Sequence, residues 1–195
     1  MTFEPFKTVP LEKFLPELRF EFTDLPDALF KYALIRAART MALDGNLIQR
    51  QAVVHTKPGV TRYALRSPDG LEVHSILGAR ASSCCTSDRR LKRFISPPQQ
   101  SWHVCGKDAV WYDEHEQVLH IEAWCHYDIC IITIAVCPAD DACELPAVYF
   151  DEYVDILLQG AKARIMRMNN KPWTNLQLAD AYEKNFTESI SQAAV

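Results

Sequence analysis

The chain has 195 residues, 48% of them hydrophobic and 24% charged, the balance of an ordinary folded domain. Its net charge of −4 excludes the basic excess of a general nucleic-acid binder. No apolar run is long enough to span a bilayer, and the start, Met1 to Lys7, lacks the basic-then-apolar order of a secretory signal, so folding in a cytoplasm is expected.

Residues 1–22 carry three prolines and the apolar residues Phe3, Phe6, Phe14, Leu15, Leu18, Phe20 and Phe22. They read as an extended N-terminal arm with little regular structure, needing its own domain or a neighbouring subunit to pack on. A helix is expected from Thr23-Asp24-Leu25-Pro26-Asp27, with Asp24 as N-cap and Pro26 in the first turn. Its apolar face is read as Leu25, Leu29, Tyr32, Ala33 and Arg36, flanked by Ala28, Ile35 and Arg39. Ala33, Ala37 and Ala38 admit a close helix neighbour. Asp44-Gly45-Asn46 ends the helix.

A β region follows. Leu47 to Thr56 reads as a strand, and Lys57-Pro58-Gly59 as a turn. Thr61–Arg66 and Leu71–Leu77 read as a hairpin through Ser67-Pro68-Asp69-Gly70. The stretch from Gly78 to Gln100 has no clear pattern. Its basic run, Arg89-Arg90-Leu91-Lys92-Arg93, is expected to be a solvated loop, with contact to DNA or an acidic partner as the alternative. Strands are predicted at Ser101–Cys105, Ala109–Asp113, Val118–Cys125 and Ile129–Cys137, with a hairpin loop at Asp113–Glu116. Ile129 to Val136 is apolar on both faces, which places it in mid-sheet.

From Pro146 one long helix is predicted, with the stripe Phe150, Val154, Leu157, Ala161 and Met168, and Ile165 alongside. Gly160, Ala161 and Ala163 make a small-residue patch. A mid-helix glycine costs about 1 kcal/mol against alanine, which argues for close packing there. Asn169-Asn170 ends the helix, and Lys171-Pro172-Trp173 turns. Thr174 to Gln177 reads as a capping box for a last helix carrying Leu178, Tyr182, Phe186 and Ile190. The predicted fold is α+β: a helical bundle from residues 23–46 and 144–195, with residues 47–143 inserted as a β-rich lobe.

Seven cysteines, an odd number, argue against a disulfide framework. No Cys-x-x-Cys pair occurs, so reduced structural cysteines are expected rather than a zinc site. Cys125 and His126 are strand neighbours on opposite faces. His103 and Cys105 share a face but have no recognisable orienting group. No catalytic residue, cofactor or metal is therefore expected, and a cysteine-rich metal-binding domain or hydrolase is the remote alternative.

Several segments resemble the head–tail adaptor (connector) proteins of short-tailed phages. The first helix, Asp24-Leu25-Pro26 through Ala37-Ala38, resembles theirs. So do Gly59-Val60-Thr61-Arg62-Tyr63-Ala64-Leu65 and Pro68-Asp69-Gly70-Leu71-Glu72-Val73, which resemble the family's first hairpin, and Leu145-Pro146, Gly160-Ala161-Lys162-Ala163-Arg164, Lys171-Pro172-Trp173-Thr174-Asn175, Tyr182 and Phe186. One departure is Asn170, where the family pattern has glycine. The resemblance implies a virion structural protein: a twelvefold homo-oligomeric ring between the portal and a downstream tail or nozzle protein. DNA would pass through its axis without sequence-specific binding. A stopper or tail terminator is the alternative within the same class. Interface candidates are Phe3, Phe6, Phe14, Arg36, Arg39, Gly160, Ala161, Lys162, Arg164, Arg167 and Trp173. For Lys162, Arg164 and Arg167 the plainer reading is a polar helix face near a C-terminus, where cations are favourable. Trp173 reads equally as an interface anchor or as a cap on the bundle's own core.

Overall fold

The apolar spacing sorts the chain into two units, one mainly helical and one mainly β. The computed structural model describes residues 2–3, 7–67, 70–83, 86–90, 92–93, 109–122 and 128–194. The helical unit comprises residues 6–47, 69–71 and 137–195; the β unit comprises residues 1–5, 48–68 and 72–136.

The helical unit opens with β2 (Thr8–Pro10), which pairs antiparallel with β11 (Glu144–Pro146), Val9 opposite Leu145. A 3-10 turn over Leu11–Phe14 leads into α1 (Leu15–Glu21). Residues 8–21 are therefore regular, which corrects the expectation of an arm. The prolines start elements rather than break them: Pro16 stands at the first turn of α1, where its missing N–H costs nothing. Leu11, Phe14, Leu15 and Leu18, spaced by one to four residues, are all buried.

Helix α2 (Asp27–Gly45) has Pro26, not Asp24, at its N-cap, with no side-chain cap. Its carbonyl accepts the Phe30 N–H, and Asp27 takes a bidentate contact from Arg19. The buried face is Phe30, Ala33, Leu34, Ile35, Ala37, Ala38, Met41 and Ala42. Leu25, Ala33 and Ile35 of the expected face are buried but Tyr32 and Arg36 are exposed, so the buried face is rotated from the expected stripe and overlaps it only in part. Both stripes satisfy a helical spacing, and only packing chose between them. The helix ends where expected, at Gly45, with Asn46 left-handed at φ 49°.

The long helix predicted from Pro146 to Asn169-Asn170 is two, and the second ends earlier, at Met166. Helix α3 (Val148–Asp151) stops, Glu152 and Tyr153 take non-helical φ of −120° and −121°, and α4 (Val154–Met166) begins. Phe150 consequently leaves the α4 stripe and meets Phe14 edge-on at 5.3 Å. Leu157, Ala161 and Ile165 are buried as predicted. Asn170 is left-handed at φ 56°. Helix α5 (Leu176–Ala193) is capped by Asn175, whose Oδ1 accepts the Leu178 N–H, rather than by Thr174. Thr174 Oγ1 instead accepts the Lys171 N–H and donates to the Met168 carbonyl, closing the loop. Along α5, Phe186 and Ile190 are buried while Leu178 is exposed.

In the β unit, a five-stranded sheet runs β1 (Thr2–Phe3), β3 (Gln49–His55), β10 (Ile129–Pro138), β5 (Leu71–Ser83), β6 (Thr86–Arg90). Strand β10 lies mid-sheet as its two-sided apolarity predicts, with Cys130, Ile132 and Ile134 buried. A four-stranded sheet runs β4 (Arg62–Ala64), β9 (Val118–Glu122), β8 (Ala109–Asp113), β7 (Lys92–Arg93). Strands β4 and β5 thus belong to different sheets, which corrects the predicted hairpin. Turn chemistry reports a reversal, and Gly70 does have φ of +63°, but it does not choose the partner strand. Pro68-Asp69 lie outside the described residues. The basic run also differs from the expected loop: Arg89 and Arg90 pair with Ala81 and Arg80, and Lys92-Arg93 form β7. The predicted strand Ser101–Cys105, and Cys125-His126, lie outside the described residues.

Candidate interface on the helical unit

The candidate interface residues divide by burial. Phe14 is 1% exposed and Ala161 is 0% exposed. Gly160 is buried against Phe186: a Cβ on it would stand 2.6 Å from Phe186 Cε2 and 2.7 Å from Cζ. These three are core residues of the unit, which corrects their expectation as interface residues. The small-residue patch serves the close approach of α5 to α4. Phe3 belongs to the β unit, where its ring faces the Arg50 guanidinium at 5.0 Å. Phe6 lies outside the described residues. Trp173 is half-buried, and its indole N–H has no hydrogen-bond partner among the described residues.

The five basic candidates remain at the surface of the unit, and four of them have acidic partners. Arg39 Nε lies 3.2 Å from Asp140, and Arg39 also donates to the Pro138 carbonyl. Arg36 approaches the same carboxylate at 3.7 Å. Lys162 pairs with Glu21, and its ammonium sits 5.5 Å from the Tyr182 ring. Arg167 pairs with Asp180 at 2.8 Å and Glu183 at 3.8 Å, and the Asp180 hydrogen bond raises its pKa.

Arg164 is different. It donates to the Gly160 carbonyl and to Thr40 Oγ1, both at 2.8 Å, and its guanidinium lies 5.4 Å from the Phe186 ring. No carboxylate among the described residues lies within ion-pair distance of it. Burial lowers its pKa, with Glu183 and Asp44 acting against that and Arg36 and Arg167 reinforcing it.

Sequence reasoning singled out all five cations but did not separate Arg164 from the rest. Pairing with Asp140, Glu21, Asp180 and Glu183 crosses from one element to another, and no spacing rule reports it.

Among the described residues one cluster of metal-capable groups occurs. Asp113, Glu116 and His120 each bring one metal-capable atom within 4.8 Å of the others at the β8–β9 hairpin. Asp113 Oδ1 already accepts the His115 and Glu116 N–H groups, and Glu116 pairs with Arg62. His120 stacks on Trp111 at 4.7 Å.

Cys130 is buried, and burial pushes its thiol up to about 12, whereas Cys143 is exposed. A thiol raised that far stays protonated at neutral pH, so it is a poor nucleophile. At pH 8 a maleimide should therefore label Cys143 well before Cys130 in the folded protein, as followed by peptide mass spectrometry. Equal rates at the two would contradict the burial of Cys130. Among the described residues no helix is long and apolar enough to cross a membrane.

Together these features define an α+β protein whose charged helical unit has no assembled catalytic constellation among the described residues. No known protein family is matched by the sequence, and no curated protein is matched. Among solved structures, the chain is similar to one from the neck of an empty gene transfer agent (GTA) particle computed with C6 symmetry, at 13% identity, with 93% of this chain and 95% of that chain covered. The TM-score is 0.34, a slight likeness.

Proposed function

We propose that this chain is a virion structural protein of the head–tail neck: an adaptor ring that joins the portal to the tail and leaves an axial channel for the genome. It has no enzymatic role. By its resemblance to the short-tailed phage adaptors the ring is twelvefold, with portal on one side and a downstream tail or nozzle protein on the other. DNA passes through without sequence-specific binding. The ring assembles in the host cytoplasm and resides in the virion neck.

One observation carries this reading. Most of the adaptor-like segments, Asp24–Ala38, Leu145-Pro146, Gly160–Arg164, Lys171–Asn175, Tyr182 and Phe186, fall in the helical unit, while the one that begins at Gly59 falls in the β unit. There the small residues set the α4–α5 approach, leaving the cationic side chains for the surface. Rings form from heterologous contacts that close, and a rigid small-residue bundle with charged outer faces suits them.

The test is electron microscopy of the purified chain mixed with portal protein. A second ring stacked coaxially on the portal, with twelvefold averages, is the expected result. A sixfold ring would move the assignment to a stopper or tail terminator. A 22.3 kDa species that stays monomeric with portal present would sink the adaptor reading.

A further inference from the structure

Arg164 is a half-buried cation without an anion among the described residues. Of the five basic candidates on the helical unit it alone lacks a carboxylate partner among the described residues. A guanidinium drawn partly out of water gains when an anion reaches it. The carboxylates that favour its charged form are Glu183 and then Asp44, and Glu183 is already engaged by Arg167.

The complementary charge lies in the first turn of α4 and just before it. Asp151, Glu152 and Asp155 are exposed at the α3–α4 junction and the first turn of α4, and none of them has an ion-pair partner among the described residues. Negative charge is favourable at a helix N-terminus, which accounts for their position but leaves their outward charge unmatched. Asp155 and Arg164 are both in α4 and nine residues apart (164 minus 155). At about 100° and 1.5 Å per residue they stand roughly half a turn and about 14 Å apart, so one copy cannot pair them internally. They project from opposite sides of one rod. A ring needs two different, complementary patches on opposite sides of each protomer.

We propose that Arg164 of one copy receives the acidic group of Asp155, flanked by Asp151 and Glu152, from a second copy, so that opposite sides of α4 form the two halves of one heterologous contact. This rests on the ring assembly proposed above. The contact gives the assembly its direction, because like faces repel and unlike faces attract.

The test is charge reversal in the full chain, with association followed by sedimentation velocity and native mass spectrometry, alone and with portal protein. Arg164→Glu and the paired Asp151→Lys/Asp155→Lys are each expected to weaken association roughly tenfold or more, and the chain carrying all three changes to recover most of that loss. The acidic-side variant changes only exposed residues, so it remains decisive if Arg164→Glu fails to fold. Circular dichroism and thermal melting establish which variants are folded. Wild type that assembles together with an acidic-side variant that assembles equally well overturns this contact and leaves the adaptor reading standing. A triple variant no better than the folded single-side variants also overturns it. Wild type that stays monomeric in both settings overturns the ring reading, and this contact with it.

Discussion

Phe186→Ala is expected to destabilise the helical unit by about 3–5 kcal/mol, the usual range for removing a fully buried aromatic ring. The ring is 0% exposed. It fills the space that Gly160 leaves open on α4, and the Arg164 guanidinium faces it at 5.4 Å. Truncation removes both contacts and the ring's buried surface at once. The partner change gives a sharper test. A Cβ on Gly160 would lie 2.6–2.9 Å from three ring carbons of Phe186. In the native background Gly160→Ala therefore overpacks, at a cost of about 1–3 kcal/mol, offset by up to about 1 kcal/mol of better helix propensity. In the Phe186→Ala background the clash is gone, and the same change should stabilise by about 0.5–1 kcal/mol. Urea unfolding of the four chains gives the coupling directly. Costs that simply add, with Gly160→Ala equally harmful in both backgrounds, would show that the ring is not what excludes a side chain there.

The second large effect is at Tyr149, the largest fully buried side chain of the unit. Its hydroxyl donates to the Ala38 carbonyl at 2.8 Å, linking α3 to the middle of α2, and burial raises its pKa so that it remains a donor. Tyr149→Ala should cost about 3–5 kcal/mol by opening a cavity. Tyr149→Phe should cost only about 0.5–1.5 kcal/mol, because the ring stays and one hydrogen bond is lost. The Ala38 carbonyl is not stranded by that change, since a carbonyl within a helix keeps its backbone partner. The ratio between the two variants is the test, read as shifts of the urea midpoint at constant slope. A phenylalanine variant as damaging as the alanine variant would mean that the hydrogen bond, not the packing, dominates the site.

Some elements were legible because the chemistry behind them is local. Asn46 closes α2 in the left-handed region that asparagine tolerates, where that helix was predicted to stop, whereas Asn170 takes the same conformation in the loop four residues after α4 ends at Met166. Ile129 to Val136, apolar at every residue but Thr133, sits mid-sheet because only a strand covered on both faces can bury it. The α4 residues Leu157, Ala161 and Ile165 fell on the buried face for the same reason of period.

Other elements were misread where two local solutions competed. The α2 face holding Tyr32 and Arg36 and the face holding Phe30, Leu34 and Met41 both repeat at helical spacing. Residues 8–21 looked irregular because of their prolines, although Leu11, Phe14, Leu15 and Leu18 were already spaced for one buried face.

What the chain's order of residues settled alone was its class: separate helical and β segments, the turns between many of them, the absence of a strong basic field, and the set of cations worth following. Each follows from charge, period or backbone preference within a few residues. Tertiary structure alone decided which face of α2 turned inward, which strands β4 and β5 took as partners, that Gly160 faces Phe186, and that Arg164 lacks, among the described residues, the carboxylate its neighbours have. Those are contacts between residues far apart in the chain. Their energy depends on which surfaces meet, and no rule of short spacing contains it.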